Sequence, residues 1–280
     1  MTENTEKFTF TGERAFPEMI KLGKFYEIWK GESHTPPQAL LIIWEEHKKR
    51  YEVFARPYCI GKTVLDIACG TAYGKSLINP GSYVGLDISR VSLNNARKGL
   101  KTNESLIEGD VKYPPFRANS FDTVVCFETL EHIHLNQINR FFNCLTTLLK
   151  NDGKFIISTP NRDMTNPGTS INDKPGNKFH CFEMNGDELE QELKKHFQDV
   201  KMFGQGFRPN IYNLPPLVSK VKILARIISG DILKIVPKED IKYGFSPTYW
   251  LAVCSEPIKS NQIEPIRFPR VEIPEESINI

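Results

Sequence analysis

Short apolar runs alternate along this chain with longer segments whose apolar positions recur every three to four residues. The runs near 63–67, 82–86, 104–108, 121–127 and 153–158 have the length and composition of strands. Segments near 73–79, 90–100 and 136–150 carry the spacing of amphipathic helices. Such alternation predicts a parallel, doubly wound α/β sheet that binds ligands at the carboxyl ends of its strands. A helix is expected near 186–196 and a strand near 199–204. The run from Thr248 to Cys254 reads as a final, antiparallel strand. Upstream, Leu41, Ile42, Trp44, Tyr51 and Phe54 place an amphipathic helix between Gln38 and Ala55.

The flanks break this rhythm and set the expected organisation. Residues 1–56 are read as an irregular polar arm followed by that helix, together forming a lid. The core is expected at 57–204 plus 247–256, interrupted by an insertion at 205–246. In the insertion, Val221, Leu224, Ala225 and Ile228 follow helical spacing. Between 218 and 242 it carries six basic residues and three acids. A cover over the substrate pocket is the favoured reading, with a membrane-surface or partner-docking helix as the alternative. Pro257, Pro265, Pro269 and Pro274 predict an extended tail over 257–280, packed along the domain or along a second subunit.

Charge and cysteines narrow the class. A net charge of +2 over 280 residues gives no overall electrostatic footprint for nucleic acid, so no nucleic-acid partner is expected. Six scattered cysteines without a C-x-x-C spacing read as reduced, mostly buried thiols. No apolar run has the length of a membrane span or the form of an export signal, and a cytoplasmic protein is expected.

Candidate chemistry begins where the first run ends. Val64-Leu65-Asp66-Ile67 passes into Ala68-Cys69-Gly70-Thr71-Ala72-Tyr73-Gly74, a loop of small residues that opens a helix. The second run, Tyr83-Val84-Gly85-Leu86, ends in Asp87, 21 positions (87 − 66) after the first acid. That is the spacing of a nucleoside-binding βαβ unit, in which the second acid accepts from ribose hydroxyls. An ordinary βα turn is the alternative. The loop is not the dinucleotide fingerprint, because Ala68 stands where its first glycine would be.

The pattern D-x-A-C-G-x-A-x-G from Asp66 to Gly74 instead resembles motif I of class I S-adenosylmethionine (SAM)-dependent methyltransferases. Gly85–Ser89, Glu108–Val111, Phe121–Phe127 and Leu148–Phe155 resemble the later elements of that family, in order. The resemblance implies a Rossmann-like, mostly parallel seven-stranded sheet with SAM as cofactor. It implies that Asp66, Ala68 and Gly70 shape the methionine end, that Asp87 takes the ribose and that Ile88 packs on adenine. Asp110 would accept from the adenine amino group, Val111 would line that pocket, and Phe127 would stand at the end of the fourth strand. Ala68 and Ala72 depart from the usual glycines, and a slightly fuller pocket is expected.

After the fourth strand, Glu128, Glu131 and His132 stand at i, i+3 and i+4. On a helical turn the three share one face. Two carboxylates and an imidazole suit Mg²⁺ or Mn²⁺. This E-x-x-E-H element resembles that of ubiquinone-biosynthesis O-methyltransferases and of small-RNA 3′-terminal 2′-O-methyltransferases. In the latter a further histidine comes from an H-x-F-E-like segment, here His180-Cys181-Phe182-Glu183. His180 is therefore a ligand or base candidate. The expected metal set is Glu128, Glu131, His132 and His180, and the expected catalytic residues are His180, His132 and Glu131. A metal-free site in which His180 or His132 is the general base stays open, with His134 in reserve. His34, His47 and His196 read as surface or packing residues.

Thr11–Glu18 (T-G-E-R-x-x-P-E), Glu46–Ala55 (E-H-x-x-R-Y), Ser158–Arg162 (S-T-P-N-R) and Asn177–His180 (N-x-F-H) resemble bacterial methyltransferases of surface polysaccharide and glycan synthesis. That likeness implies O-methylation of a sugar hydroxyl on a polysaccharide, lipid-linked glycan or nucleotide sugar. Its partners would be a glycan acceptor, a glycosyltransferase or membrane surface, and a second copy of the chain. The alternatives are an RNA 2′-O- or small-aromatic O-methyltransferase and a catalytically inactive SAM-binding partner in glycan assembly.

Overall fold

The computed structural model describes residues 37–97, 99–209 and 233–259. Helix α1 (Pro37–Lys49) runs into a π-helical turn, Arg50–Ala55, and a last turn, α2 (Arg56–Cys59). The strands are β1 (Thr63–Ile67), β2 (Ser82–Asp87), β3 (Glu104–Glu108), β4 (Phe121–Phe127), β5 (Leu149–Pro160), β6 (Phe197–Gln205), β7 (Arg208–Pro209), β8 (Ile235–Pro237), β9 (Phe245–Ser246) and β10 (Tyr249–Pro257). The helices between them are α3 (Lys75–Ile78), α4 (Arg90–Ala96), α5 (Ile138–Leu148), α6 (Arg162–Thr165) and α7 (Gly186–Lys194).

One sheet runs in the order β3-β2-β1-β4-β5-β10-β6-β8. The first five strands in that order pair in parallel, and β10 is antiparallel to both β5 and β6. This is the doubly wound fold expected, with its antiparallel strand in place. The strand number differs: β8, inside the segment expected to be a helical insertion, pairs with β6 as an eighth strand. The insertion also contributes β7 and β9, which pair with each other. The extended chain at its base meets the donors and acceptors that the edge of β6 would otherwise leave unpaired. Lys238 fastens that base to α7, 2.7 Å from Asp187 and 2.6 Å from Glu190. The arm 1–36, the helix expected over Val221–Ile228 and the tail from residue 260 lie outside the described residues.

Alternation within single strands builds two cores, one on each face of the sheet. Val124 and Cys126 of β4 join one cluster, Val125 and Phe127 the other. Phe155 and Ile157 divide from Ile156 in the same way. Helix α5 turns Ile138, Phe141, Phe142, Leu145 and Leu148 to the first cluster. Removing such a buried phenylalanine costs about 3–5 kcal/mol. Helix α7 starts at a reciprocal cap: Asn185 accepts from the Glu188 amide and Glu188 from the Asn185 amide. Among the described residues no helix is long and apolar enough to cross a membrane.

Candidate active site

The sheet order reverses at β1, whose neighbours are β2 and β4. A crevice opens at the carboxyl ends of strands at such a switch point. Register brings Ile67 beside Leu86 and Cys126, and Asp87 beside Glu108. Asp110, Asp87, the 68–72 loop and Phe127 thus follow one another along the rim, in the order that adenine, ribose, methionine and methyl group would need.

The loop after β1 is held by the second acid. Asp87 accepts from the Gly70 amide and the Ser89 amide, both at 2.8 Å. Ile88 beside it is 63% exposed, an apolar side chain at the mouth of the crevice. Asp110 accepts from the Lys112 amide at 2.9 Å, and Val111 packs on the core. Asp66 is fully buried beneath the loop. The Tyr83 hydroxyl donates to it at 2.7 Å and the Tyr51 hydroxyl at 3.2 Å. Burial pushes its carboxyl up to about 7 against the pull of these two donors. Burial, and then the charge of Asp66, raise both tyrosines well above their usual range, so they remain donors. Asp66 therefore ties Tyr51 of the π-helical turn to Tyr83 of β2.

Ala68, Gly70 and Ala72 all have φ between 54° and 56°. The expected effect of the two alanines was extra volume, but their conformation places the cost in the backbone. A left-handed L-residue costs on the order of 1 kcal/mol. Above Gly70 a Cβ would meet nothing within 4 Å, so space lies open there for a ligand. Gly74 is constrained in the opposite sense: a Cβ would stand 2.3 Å from the Tyr51 ring.

Arg50 is a residue that periodicity alone did not single out. It is buried where the π-helical turn widens the backbone, a distortion frequent at functional sites. Its guanidinium donates to Gln205 at 2.7 Å, pairs with Glu128 at 2.8 Å and lies 4.1 Å from the Tyr249 ring centre. Its Nη2 is buried and unpartnered, as is Thr71 Oγ1 on the loop. A buried guanidinium nitrogen lacking an acceptor, small residues around an open space and an acid at the end of β2 fit the carboxylate, chain and ribose of SAM. His47, expected to be a packing residue, hydrogen-bonds the Tyr73 hydroxyl and stands 6.4 Å, ring to ring, from Phe127. Burial, helped by Arg50, holds it well below its ordinary range, hence neutral.

The other end of the crevice, beyond β4, is assembled from two segments. A 3₁₀ turn at Leu130–His132 follows β4, and the loop after β5 folds back so that the His180 ring lies 5.2 Å from that of His132. Potential ligand atoms of Glu131, His132 and His180 lie within 4.8 Å of one another. Glu128 does not join them. Its φ is 49°, outside a helical turn, so the expected shared face does not form. Its carboxylate turns instead to Arg50 and to the Ser158 hydroxyl at 2.7 Å. Of the four side chains expected to form a metal set, three therefore lie together and Glu128 stands apart.

Glu131 is buried and accepts from the Thr159 hydroxyl at 3.0 Å. Burial, and then the neighbouring Glu128 charge, push it up to about 8, while His180 pulls it down. His132 meets the Phe179 carbonyl through Nδ1 at 3.1 Å. His180 Nδ1 lies 2.5 Å from Glu183, and its Nε2 lies 3.0 Å from the Asn177 amide nitrogen. Glu183 also accepts from Thr165 and from Asn166 at 2.6 Å. The segment Ser158–Arg162 supplies much of this scaffold. Ser158 and Thr159 hold the two glutamates, Asn161 caps α6, and Arg162 pairs with Glu188 at 2.5 Å. His134 stands exposed beyond the turn. Five of the six free cysteines are buried and Cys181 is exposed.

Residues 65–157 match a family model described as a methyltransferase domain. A Mycobacterium tuberculosis protein described as a probable SAM-dependent methyltransferase is 28% identical over 216 residues, 76% of this chain and 70% of that protein. The mitochondrial ubiquinone biosynthesis O-methyltransferase of Schizosaccharomyces pombe is 31% identical over 122 residues, 40% of this chain and 43% of that enzyme. A SAM-dependent methyltransferase structure from Thermotoga maritima superposes with a TM-score of 0.53 at 15% identity, covering 85% of this chain and 98% of that one, which speaks to the fold. The rim of acids, the glycine-centred loop and these likenesses agree: the chain carries a class I SAM-dependent methyltransferase domain.

Proposed function

We propose that this protein is an O-methyltransferase whose acceptor is a sugar hydroxyl on a polysaccharide, lipid-linked glycan or nucleotide sugar. The observation that carries the reading is the cluster of Glu131, His132 and His180 beside the end of β4, with Glu183 behind His180. A hydroxyl is a weak nucleophile and needs a base as it attacks, and this cluster offers one. The sugar class rests on the likeness of Ser158–Arg162 and Asn177–His180 to glycan-associated methyltransferases.

SAM, when bound, supplies the electrophilic methyl group for an in-line displacement. Asp87 would hold the ribose, Asp110 the adenine amino group, and Arg50 Nη2 the methionine carboxylate. Glu183 fixes the Nδ1–H form of His180, so that Nε2 is the basic nitrogen that takes the acceptor proton. Asn177 orients that nitrogen and gives way to the hydroxyl. Glu131, His132 and His180 also fit a divalent cation such as Mg²⁺ or Mn²⁺, which would lower the hydroxyl pKa there. One titration tests the two forms of the site. If a cation is required, excess chelator abolishes transfer and Mn²⁺ restores it. Full activity in chelator, with loss only in His180→Ala, assigns the proton to the imidazole alone. No transfer to any glycan hydroxyl under either condition overturns the reading.

A further inference from the structure

A cavity of about 550 Å³ opens on the outer side of the cluster, between the turn after β4 and the loop after β5. Its volume falls in the range of small-molecule clefts. Leu135, Asn136 and Gln137 form one wall, Ile171 and Asn172 the other, and Cys181 lies between cavity and cluster. The Cys181 amide donates to the Glu131 carbonyl at 2.7 Å and its thiol to the His132 carbonyl at 3.5 Å. The cavity lining thus includes the residue that follows the proposed base in the chain and that bonds the backbone of Glu131 and His132.

The lining has a distinct chemistry. None of its eight residues is Asp, Glu, Lys or Arg. Three side-chain amides each present both a donor and an acceptor, as a sugar hydroxyl does. Leu135 and Ile171 add apolar surface suited to the C–H face of a sugar ring. Gln137 Oε1 is buried with no donor, an acceptor that an incoming hydroxyl would satisfy. The Gln137 backbone N–H, at the head of α5, already donates to the His134 carbonyl at 2.8 Å. A phosphate or carboxylate entering here would lose water and meet no lysine or arginine, with the His134 imidazole as the one basic side chain of the lining.

We propose that this cavity is the acceptor subsite and that it binds an uncharged saccharide, one without phosphate or carboxylate at the bound residue. The inference rests on the O-methyl reading of the cluster and narrows it, because a nucleotide sugar would place its diphosphate against a lining without lysine or arginine.

Cys181 is a built-in reporter, since it lines the cavity and the other cysteines are buried. The experiment measures the rate at which a disulfide reagent modifies Cys181 in the full chain with S-adenosylhomocysteine bound. The probes are neutral methyl glycosides and disaccharides of gluco, galacto, manno and rhamno configuration, with methyl glucuronides and hexose phosphates beside them. At least one neutral probe should slow modification several-fold, and the charged probes should not. Gln137→Leu should abolish that protection and raise the acceptor KM about tenfold while S-adenosylhomocysteine affinity stays unchanged. Equal protection by charged probes, or none across the neutral panel, overturns the inference. Methyl transfer to the same glycosides separates the two claims. Sugar methylation with an unaltered KM in Gln137→Leu sinks the cavity and spares the function. Protection of Cys181 without any methylation does the reverse.

Discussion

The two ends of the crevice are built by different means. The cofactor end is a row of strand termini, and backbone amides do most of its work: those of Gly70 and Ser89 hold Asp87. Each part lies a few residues from a strand that register fixes to its neighbour. The acceptor end is made of side chains from the turn after β4 and the loop after β5, joined by contacts such as His132 with the Phe179 carbonyl. The first arrangement can be copied among many proteins because backbone geometry alone produces it. The second depends on which side chains a loop happens to deliver, and it is there that the proposed function places specificity for an acceptor.

If the ends are separable, Glu131→Ala should cut methyl transfer about 10³-fold while S-adenosylhomocysteine binding in calorimetry stays at the wild-type value. A parallel loss of cofactor affinity would break the division. Arg50 sharpens it, because that side chain ties Glu128 of the acceptor end to Gln205 and Tyr249. Arg50→Met should lower stability by about 3 kcal/mol in urea unfolding, since a buried ion pair loses one partner. It should also weaken S-adenosylhomocysteine binding if Nη2 holds the carboxylate. Unchanged binding in the folded variant would free the cofactor end of any debt to Arg50.

Asp66 gives the cofactor end a pH signature. Its carboxyl is raised from 3.8 to about 7, so the folded chain keeps a proton that the unfolded chain releases near 3.8. Between these values the folded state binds more protons, and stability falls as pH rises, by up to about 1.4 kcal/mol per pH unit. The loss levels off above about pH 7. Unfolding midpoints from pH 4 to 8 should show this limb, and Asp66→Asn should flatten it; an identical slope in the variant would remove Asp66 as its source. Asp87→Ala should weaken S-adenosylhomocysteine about tenfold, and hardly alter Cys181 reactivity at the other end. Ala72→Gly is the mildest test. Relief of the left-handed backbone, offset by glycine's added freedom when unfolded, should stabilise by about 1 kcal/mol or less. A destabilised Ala72→Gly would mean that the buried methyl outweighs the strain.

Glu128 shows why the acceptor end was only half legible. Spacing placed it on one helical face with Glu131 and His132, and that inference assumed a helix. The chain instead leaves β4 through a left-handed residue, and Arg50 supplies a closer partner. Tyr51 and Tyr83 illustrate the same limit at Asp66. Each read as an apolar position in a helix or strand, and nothing local announced that both hydroxyls would meet on one buried carboxylate. A signal for Arg50 did exist, as the arginine of the E-H-x-x-R-Y pattern in Glu46–Ala55.

By itself the sequence determined the order of strands and helices, the acid-ended β1 and β2 with their small-residue loop, and hence the cofactor rim. These follow from side-chain periodicity and turn chemistry, which act over a few residues and are written locally. Tertiary structure alone decided that Glu128 faces Arg50, that the insertion adds β8 to the sheet edge, and that a cavity without Asp, Glu, Lys or Arg lies beyond Cys181. Such features come from groups as far apart as Arg50 and Gln205, 155 positions distant in the chain. Their meeting is settled by packing of the whole sheet, because only the folded core brings those surfaces into contact.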